Sequence, residues 1–364
     1  MNKHEWNQGQ LLRLSGQYWP TCTLHAAVKL DVFSAVGDQQ LTSEDIAQKL
    51  NGDKMGVTRL LNALTAMNLL EKADDKFFNT PASKSFLSKD SSGYIGHIIM
   101  HHHHLVDSWS KLSQAVKTGH PVRTRTSYNS AERRESFLMG MFNLAMNLAP
   151  RLVTEIDLFN RRHLLDLGGG PGTYAIHFCL HNPQLKATVY DFATTRPFAE
   201  KTIEKFDLTD RIDFIAGNYL EEGIEGVYDV AWLSHILHGE GPEDCQRIIQ
   251  KSVSVLEPRG MIIVHDFILD NTMDNPLFPA LFSLNMLLGT SGGQSYSEEH
   301  ITDMLAGAGV REIQRLPFQG PNDSGIIAGV VLHGHQNHLG MSRQGRPNWL
   351  LASRLRQSSF SYDG

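Results

Sequence analysis

Three cysteines in 364 residues, Cys22, Cys179 and Cys245, are too few and too scattered for a disulfide framework or a thiolate metal site. No apolar run approaches the ~20 residues needed to cross a bilayer, so no membrane span is expected. The first residues carry no secretory leader pattern, and with so little cysteine a reducing, cytoplasmic setting is expected. Positive charge is not in excess either. Thirty-three Lys and Arg against 39 Asp and Glu leave a net charge of -6, which offers nothing to phosphate backbones or acidic lipid. Neither nucleic acid nor membrane is therefore an expected partner, and small neutral or cationic molecules fit better. What is present is an ordinary globular composition, 41% hydrophobic and 20% charged, in a chain long enough for two domains.

Residues 8 to 36 hold Leu11, Leu12, Leu14, Tyr18, Trp19, Leu24, Ala27, Val28, Leu30 and Val32 at mixed helical spacings, too apolar to stand alone in water. Burial against a partner subunit is expected. Thr42-Ser-Glu-Asp45 then opens a short helix with a capping-box pattern, and Val57, Leu60, Leu61 and Leu64 carry a second helix. A polar turn from Glu71 to Lys76 and the pair Phe77-Phe78 add a hairpin, which completes the order of a winged-helix unit. Such a unit can read DNA, but between residues 41 and 90 seven acids offset seven bases, so no basic face results. Residues 94 to 160 read as helical. Within them His97, His101 and His104 share a helical face at i, i+4 and i+7, yet no acid or cysteine is spaced to complete a site, and no metal is expected.

Beyond residue 160 short apolar strand signals alternate with helical spacing: Leu164-Leu165, Thr188 to Tyr190, Ile212 to Ile215, Val230 to Leu233, Met261 to Val264 and Ile326 to Val331. That alternation predicts a mostly parallel sheet with helices on both faces, and such sheets bind ligands beyond the carboxyl ends of their strands. The first strand runs into Asp166-Leu-Gly168-Gly-Gly170-Pro-Gly172, where the glycines remove side chains from a backbone that must approach a ligand closely. Nineteen residues past Gly172, Asp191 ends the next strand, placed to accept hydrogen bonds from ribose hydroxyls. The Gly-x-Gly-x-Gly spacing differs from the G-x-G-x-x-G of dinucleotide enzymes. It resembles the first motif of class I S-adenosylmethionine-dependent methyltransferases. More narrowly, Leu165-Asp-Leu-Gly-Gly-Gly-Pro-Gly-Thr173 resembles the small-molecule O-methyltransferases of the plant caffeate, hydroxyindole and bacterial polyketide-tailoring kind.

The resemblance spans roughly residues 10 to 331 and implies S-adenosylmethionine as cofactor, S-adenosylhomocysteine as product, a homodimer, and a hydroxyl of an aromatic or polyketide-like small molecule as acceptor. Trp232-Leu-Ser-His-Ile-Leu-His238-Gly-Glu240 is similar to the family's Val-Leu-His-Asp-Trp stretch, and the match gives His238 the role of general base. A histidine suits it because imidazole titrates near neutrality. Gly239 and Glu240 depart from the family's Asp and Trp. Asp266, just after a strand, falls where the family carries the acid that orients the histidine. A second acid of the plant enzymes falls near Gly293-Gln294, where an amide cannot carry charge.

The cofactor contacts implied are Asp166, Gly168, Gly170, Gly172 and Asp191, with Asn218 and Tyr219 beside the adenine and Ser234 beside the methionine part. On the acceptor side Met141, Phe282, Asn285 and Met286 match pocket-lining helices; methionine adapts to flat rings, although the same spacing also serves a plain core. The fold class implied is α/β, a Rossmann-like mostly parallel sheet with an N-terminal all-helical winged-helix dimerisation domain. Its expected parts are a dimerisation domain at 1–110, a helical linker at 111–160, a cofactor-binding catalytic domain at 161–331 and a disordered tail at 332–364. Two other readings stay open on the sequence: a cofactor-retaining relative with non-methylating chemistry, and a winged-helix regulator.

Overall fold

The computed structural model describes residues 5–124 and 131–332; the expected tail from 333 onward lies outside the described residues. The chain divides into two compact units, one of Met1–Asp107 with Ser130–Asn143, the other of Ser108–Asn129 with Leu144–Gly364. The stretch 111–160 is accordingly no separate body, because its middle belongs to the first unit and its ends to the second.

In the first unit the helices Gln8–Ser15, Tyr18–Lys29 and Val32–Val36 precede a short strand β1 (Leu41–Thr42). The helix Ser43–Leu50 starts on the expected capping box: the Asp45 N–H donates to Thr42 Oγ1 and the Thr42 N–H to Asp45 Oδ2, which satisfies two orphan donors. After the helix Lys54–Ala66, β2 (Leu70–Ala73) and β3 (Lys76–Asn79) form the wing hairpin, and β1 joins them in the order β1-β3-β2. The unit thus adds a small sheet to its helices. Ala27, Val28, Val32, Phe33, Leu61, Leu64 and Phe77 form its core. This corrects the expectation for residues 8 to 36. Ala27, Val28 and Val32 pack inside their own unit, while Leu11, Leu12, Leu14, Tyr18 and Trp19 stand more than half exposed.

The second unit is built on seven strands: β4 (His163–Leu167), β5 (Lys186–Asp191), β6 (Ile212–Ala216), β7 (Tyr228–Ser234), β8 (Leu256–Phe267), β9 (Val310–Gln319) and β10 (Ser324–Val331). Their order is β6-β5-β4-β7-β8-β10-β9, parallel from β6 through β8, with β10 antiparallel to both of its neighbours. Six of these strands match the apolar runs of the sequence. β9 has no such run, since Arg311, Glu312, Gln314 and Arg315 interrupt it, and it lies on the edge, where Pro317 is tolerated. Side chains alternate between two cores, one per face: Leu164, Val230, Trp232 and Ile263 on one side, Leu165, Leu167, Leu233 and Val264 on the other. Each such fully buried side chain contributes roughly 1.5–3 kcal/mol relative to exposure.

The chain leaves β4 toward β5 on one side and later enters β7 on the other. The strand order therefore reverses at β4, and the crevice beyond the carboxyl ends of β4 and β7 is where this topology places a ligand. Among the described residues no helix is long and apolar enough to cross a membrane.

Candidate functional site

At the end of β4 the backbone turns through three left-handed glycines, Gly168 (φ 67°), Gly170 (φ 56°) and Gly172 (φ 77°), into the helix Thr173–His181. The three differ in what surrounds them. A Cβ on Gly168 would stand 2.5 Å from Ile236 Cγ2, and one on Gly172 3.3 Å from Val189 Cγ2. On Gly170 it would meet nothing within 4 Å, so this glycine borders open space. The Gly170 N–H donates to Asp191 Oδ2 (2.8 Å), and Asp191 Oδ1 accepts from the Phe192 N–H (2.6 Å) and the Thr195 hydroxyl (3.3 Å). Burial pushes the Asp191 carboxyl up despite those bonds. Asp166 lies fully inside: its Oδ2 accepts from the Ala175 N–H (3.2 Å) while Oδ1 is buried without a partner. Burial, reinforced by the Asp191 charge, pushes the Asp166 carboxyl up to about 7. Asp166 thus braces the loop from beneath, since a Cβ on Gly169 would fall 2.6 Å from its carboxyl carbon.

Asn218 follows β6 and turns back on its own loop, accepting from the Leu220 N–H through Oδ1 (3.1 Å). The Tyr219 ring is buried in the core, 3.6 Å from where a Gly168 Cβ would stand. That places it against the loop from the protein side. Ser234, at the end of β7, is bonded to His265 Nδ1 (3.0 Å), and His265 Nε2 reaches Ser324 Oγ (3.1 Å). Burial drives the His265 imidazole well below its ordinary range, so this ring is neutral.

β7 and β8 run parallel with Ser234 level with His265, which brings the residues after β7 beside Asp266. The Leu237–Gly239 turn then sets His238 Nδ1 at 2.6 Å from Asp266 Oδ1, and Asp266 Oδ2 accepts from the His238 N–H (3.3 Å). Burial alone would raise the Asp266 carboxyl, but His238 and His235 together hold it well below the usual carboxylate range. An ionised carboxylate only accepts, so Nδ1 carries a proton and Nε2 is the ring nitrogen left to exchange one. The His238 ring lies against Phe267, stacked at 5.9 Å, and edge-on to Phe282 at 4.8 Å.

His235, missed by the sequence reading, holds a left-handed φ of 56° and brings its Nδ1 to 3.5 Å from Asp266 Oδ1. Among the described residues, only His235, His238 and Asp266 bring three metal-type ligand atoms within 4.8 Å of one another, and the His101 to His104 run does not. Two ligands on one tetrahedral ion stand about 3.3 Å apart, so the 2.6 Å His238–Asp266 contact has hydrogen-bond geometry.

On the helix Leu277–Gly289, Phe282 reaches His238, whereas Asn285 is turned to Arg123, whose Nη2 donates to its backbone O and Oδ1 (3.3 and 3.4 Å). Met286 is buried in the same helix. Met141 belongs to the first unit and is described with it. Gly293 packs on the His238 turn, since a Cβ there would sit 2.5 Å from the His238 carbonyl oxygen. Glu240 is buried, and its carbonyl accepts from the Tyr296 hydroxyl (2.6 Å). The departures from the resembled pattern thus pack against one another beside the base.

Comparison with known proteins identifies two matching segments. Residues 109–311 match the O-methyltransferase domain and residues 12–89 the O-methyltransferase dimerisation domain. The 3-hydroxy-5-methyl-1-naphthoate 3-O-methyltransferase of Streptomyces sahachiroi is 30% identical over 88% of this chain and 94% of its own length. The tetracenomycin polyketide synthesis 8-O-methyl transferase of Streptomyces glaucescens is 26% identical over 89% and 97%. A solved O-methyltransferase family protein from Burkholderia thailandensis superposes with a TM-score of 0.82 at 27% identity, over 91% of this chain and all of that one. With the glycine turn, the strand order and both segments in agreement, this chain belongs to the O-methyltransferase family, its dimerisation domain preceding its methyltransferase domain.

Proposed function

We propose that the protein methylates a hydroxyl of an aromatic or polyketide-like small molecule, using S-adenosylmethionine, with His238 as general base and Asp266 as its positioning residue. The observation that carries this reading is the Asp266 clamp on Nδ1, which leaves Nε2 as the only ring nitrogen able to accept a proton. When bound, the cofactor supplies an electrophilic methyl group on a sulfonium sulfur.

The glycine turn fits such a ligand. Gly170 faces open space, and the Asp191 carboxylate makes three bonds of the roughly four it can accept. One acceptor site remains for a ribose hydroxyl. Gly168, Gly170 and Gly172 would cradle the ligand, Asp166 and the buried Tyr219 ring would hold the cradle's shape from the protein side, and Asn218 and Ser234 would border its adenine and methionine ends.

His238 Nε2 takes the acceptor's hydroxyl proton, and the imidazolium that results is stabilised by the Asp266 carboxylate, already ionised. Phe282, and with it Met286 on the same helix, would border the acceptor ring. The activities that the two Streptomyces relatives are named for, on a hydroxynaphthoate and in tetracenomycin polyketide synthesis, support that acceptor class. The exposed Leu11, Leu12, Leu14, Tyr18 and Trp19 support a homodimer built through the dimerisation domain. The test is incubation with S-adenosylmethionine and a phenol library. A mass gain of one methylene on a hydroxyl is expected, and a protein that binds the cofactor without producing it would contradict the proposal.

A further inference from the structure

The segment before residue 125 carries a cation that the proposed proton transfer does not use. Arg123 is half-buried; among the described residues its Nη2 bonds only to Asn285, and its buried Nε meets no acceptor. No carboxylate among the described residues pairs with it. The guanidinium packs on Gly289, where a Cβ would stand 2.4 Å from Arg123 Cζ, and the Val122 and Arg123 N–H groups both donate to the Leu288 carbonyl (3.0 and 3.1 Å). Lys111 lines the same recess of about 500 Å³, together with Gln114, Pro121, Val122 and Thr124. Among the described residues two cations thus border it with no acid, and desolvation already disfavours the Arg123 charge. A partly buried cation in this state is relieved by an anion that accepts two parallel N–H bonds.

The helix Leu277–Gly289 connects that cation to the base. Phe282, Asn285 and Gly289 stand at i, i+3 and i+7 and share one face. Phe282 touches the His238 ring; Asn285 and Gly289 meet the guanidinium. At 1.5 Å per residue the two ends of that face are about 10 Å apart, close to the length of a two-ring aromatic acid.

We infer that Arg123 receives the carboxylate of an aromatic hydroxy acid whose hydroxyl faces His238, and that this pairing selects anionic acceptors. Asn285 then acts as the positioning residue that aims the guanidinium. The inference rests on the proposed role of His238 for its orientation, so its test reads binding rather than turnover. Full-length protein loaded with S-adenosylhomocysteine is titrated by calorimetry with a hydroxynaphthoic acid bearing its two groups at opposite ends, and with the corresponding naphthol. Wild type is expected to bind the acid about 10- to 100-fold more tightly. Arg123→Gln should abolish that preference with naphthol and S-adenosylhomocysteine affinities unchanged, and Arg123→Lys should restore part of it. Equal binding of the pair by wild type, binding of neither, or a preference that survives Arg123→Gln would overturn the inference. Should Arg123→Gln not fold, the wild-type preference and Arg123→Lys decide alone. Failure of the base assignment would show separately, as unimpaired turnover in His238→Asn with the carboxylate preference intact.

Discussion

Alanine at Gly170 and at Gly168 separates what the glycine turn does for folding from what it does for a ligand. Both residues hold left-handed backbone, which costs a residue with a side chain roughly 1–2 kcal/mol. Gly170→Ala adds nothing to that, because the new methyl meets no protein atom within 4 Å. Gly168→Ala also drives its methyl to 2.5 Å from Ile236 Cγ2, an overpacking that adds about 1–3 kcal/mol. Urea unfolding is therefore expected to show a loss of about 1–2 kcal/mol for Gly170→Ala and about 2–5 kcal/mol for Gly168→Ala. Affinity should follow the opposite order relative to stability. The open side of Gly170 is where the cofactor backbone lies in the proposal, so calorimetry with S-adenosylhomocysteine should show Gly170→Ala weakened at least tenfold while still folded. Wild-type affinity in a folded Gly170→Ala protein would refute the placement of the ligand on this loop.

Other outcomes follow from the same geometry. Asp266→Asn removes the partner that fixes the His238 tautomer, and methyl transfer should fall by about 10²–10⁴ in kcat with cofactor affinity unchanged; a loss below tenfold would count against the clamp. Asp166, raised to about 7 from an ordinary carboxylate value, is protonated in the ligand-free protein at pH 5. A raised folded value means stability that is full below about pH 4 and lost as pH rises through 7, on the order of 4 kcal/mol across the window. Thermal unfolding should show that decline, and Asp166→Asn should flatten it; an unchanged slope would mean the buried carboxyl is not the cause. Glu in place of Leu12 and Trp19 should yield monomers by light scattering if these side chains form the subunit contact, and an intact dimer would relocate it.

The parts of this protein legible in the sequence are those whose determinants are local. Asp166 to Gly172 announce their turn because left-handed backbone and close approach both demand glycine, and β4, β5, β7 and β8 show as unbroken apolar runs because both of their faces are covered. The pairing of His238 with Asp266 joins residues 28 apart, and only the resemblance pointed to it; the parallel register of β7 and β8 supplies the physical reason. Arg123 and Asn285 lie 162 residues apart and carry no pattern at all. β9 escaped because an edge strand with one wet face reads as polar. His235 escaped because its left-handed backbone arises from the turn after β7 and its contact with Asp266, neither of which a single residue type signals.

The central claim is that His238 removes the acceptor's proton while the glycine turn holds the methyl donor. Single-turnover methyl transfer in cofactor-loaded wild type and His238→Asn, with the S-adenosylmethionine dissociation constant of each, tests both halves together. The account predicts equal dissociation constants and a transfer rate at least 10²-fold lower in the variant. A variant that transfers the methyl group at the wild-type rate, or one whose rate falls only in proportion to lost cofactor binding, would contradict it.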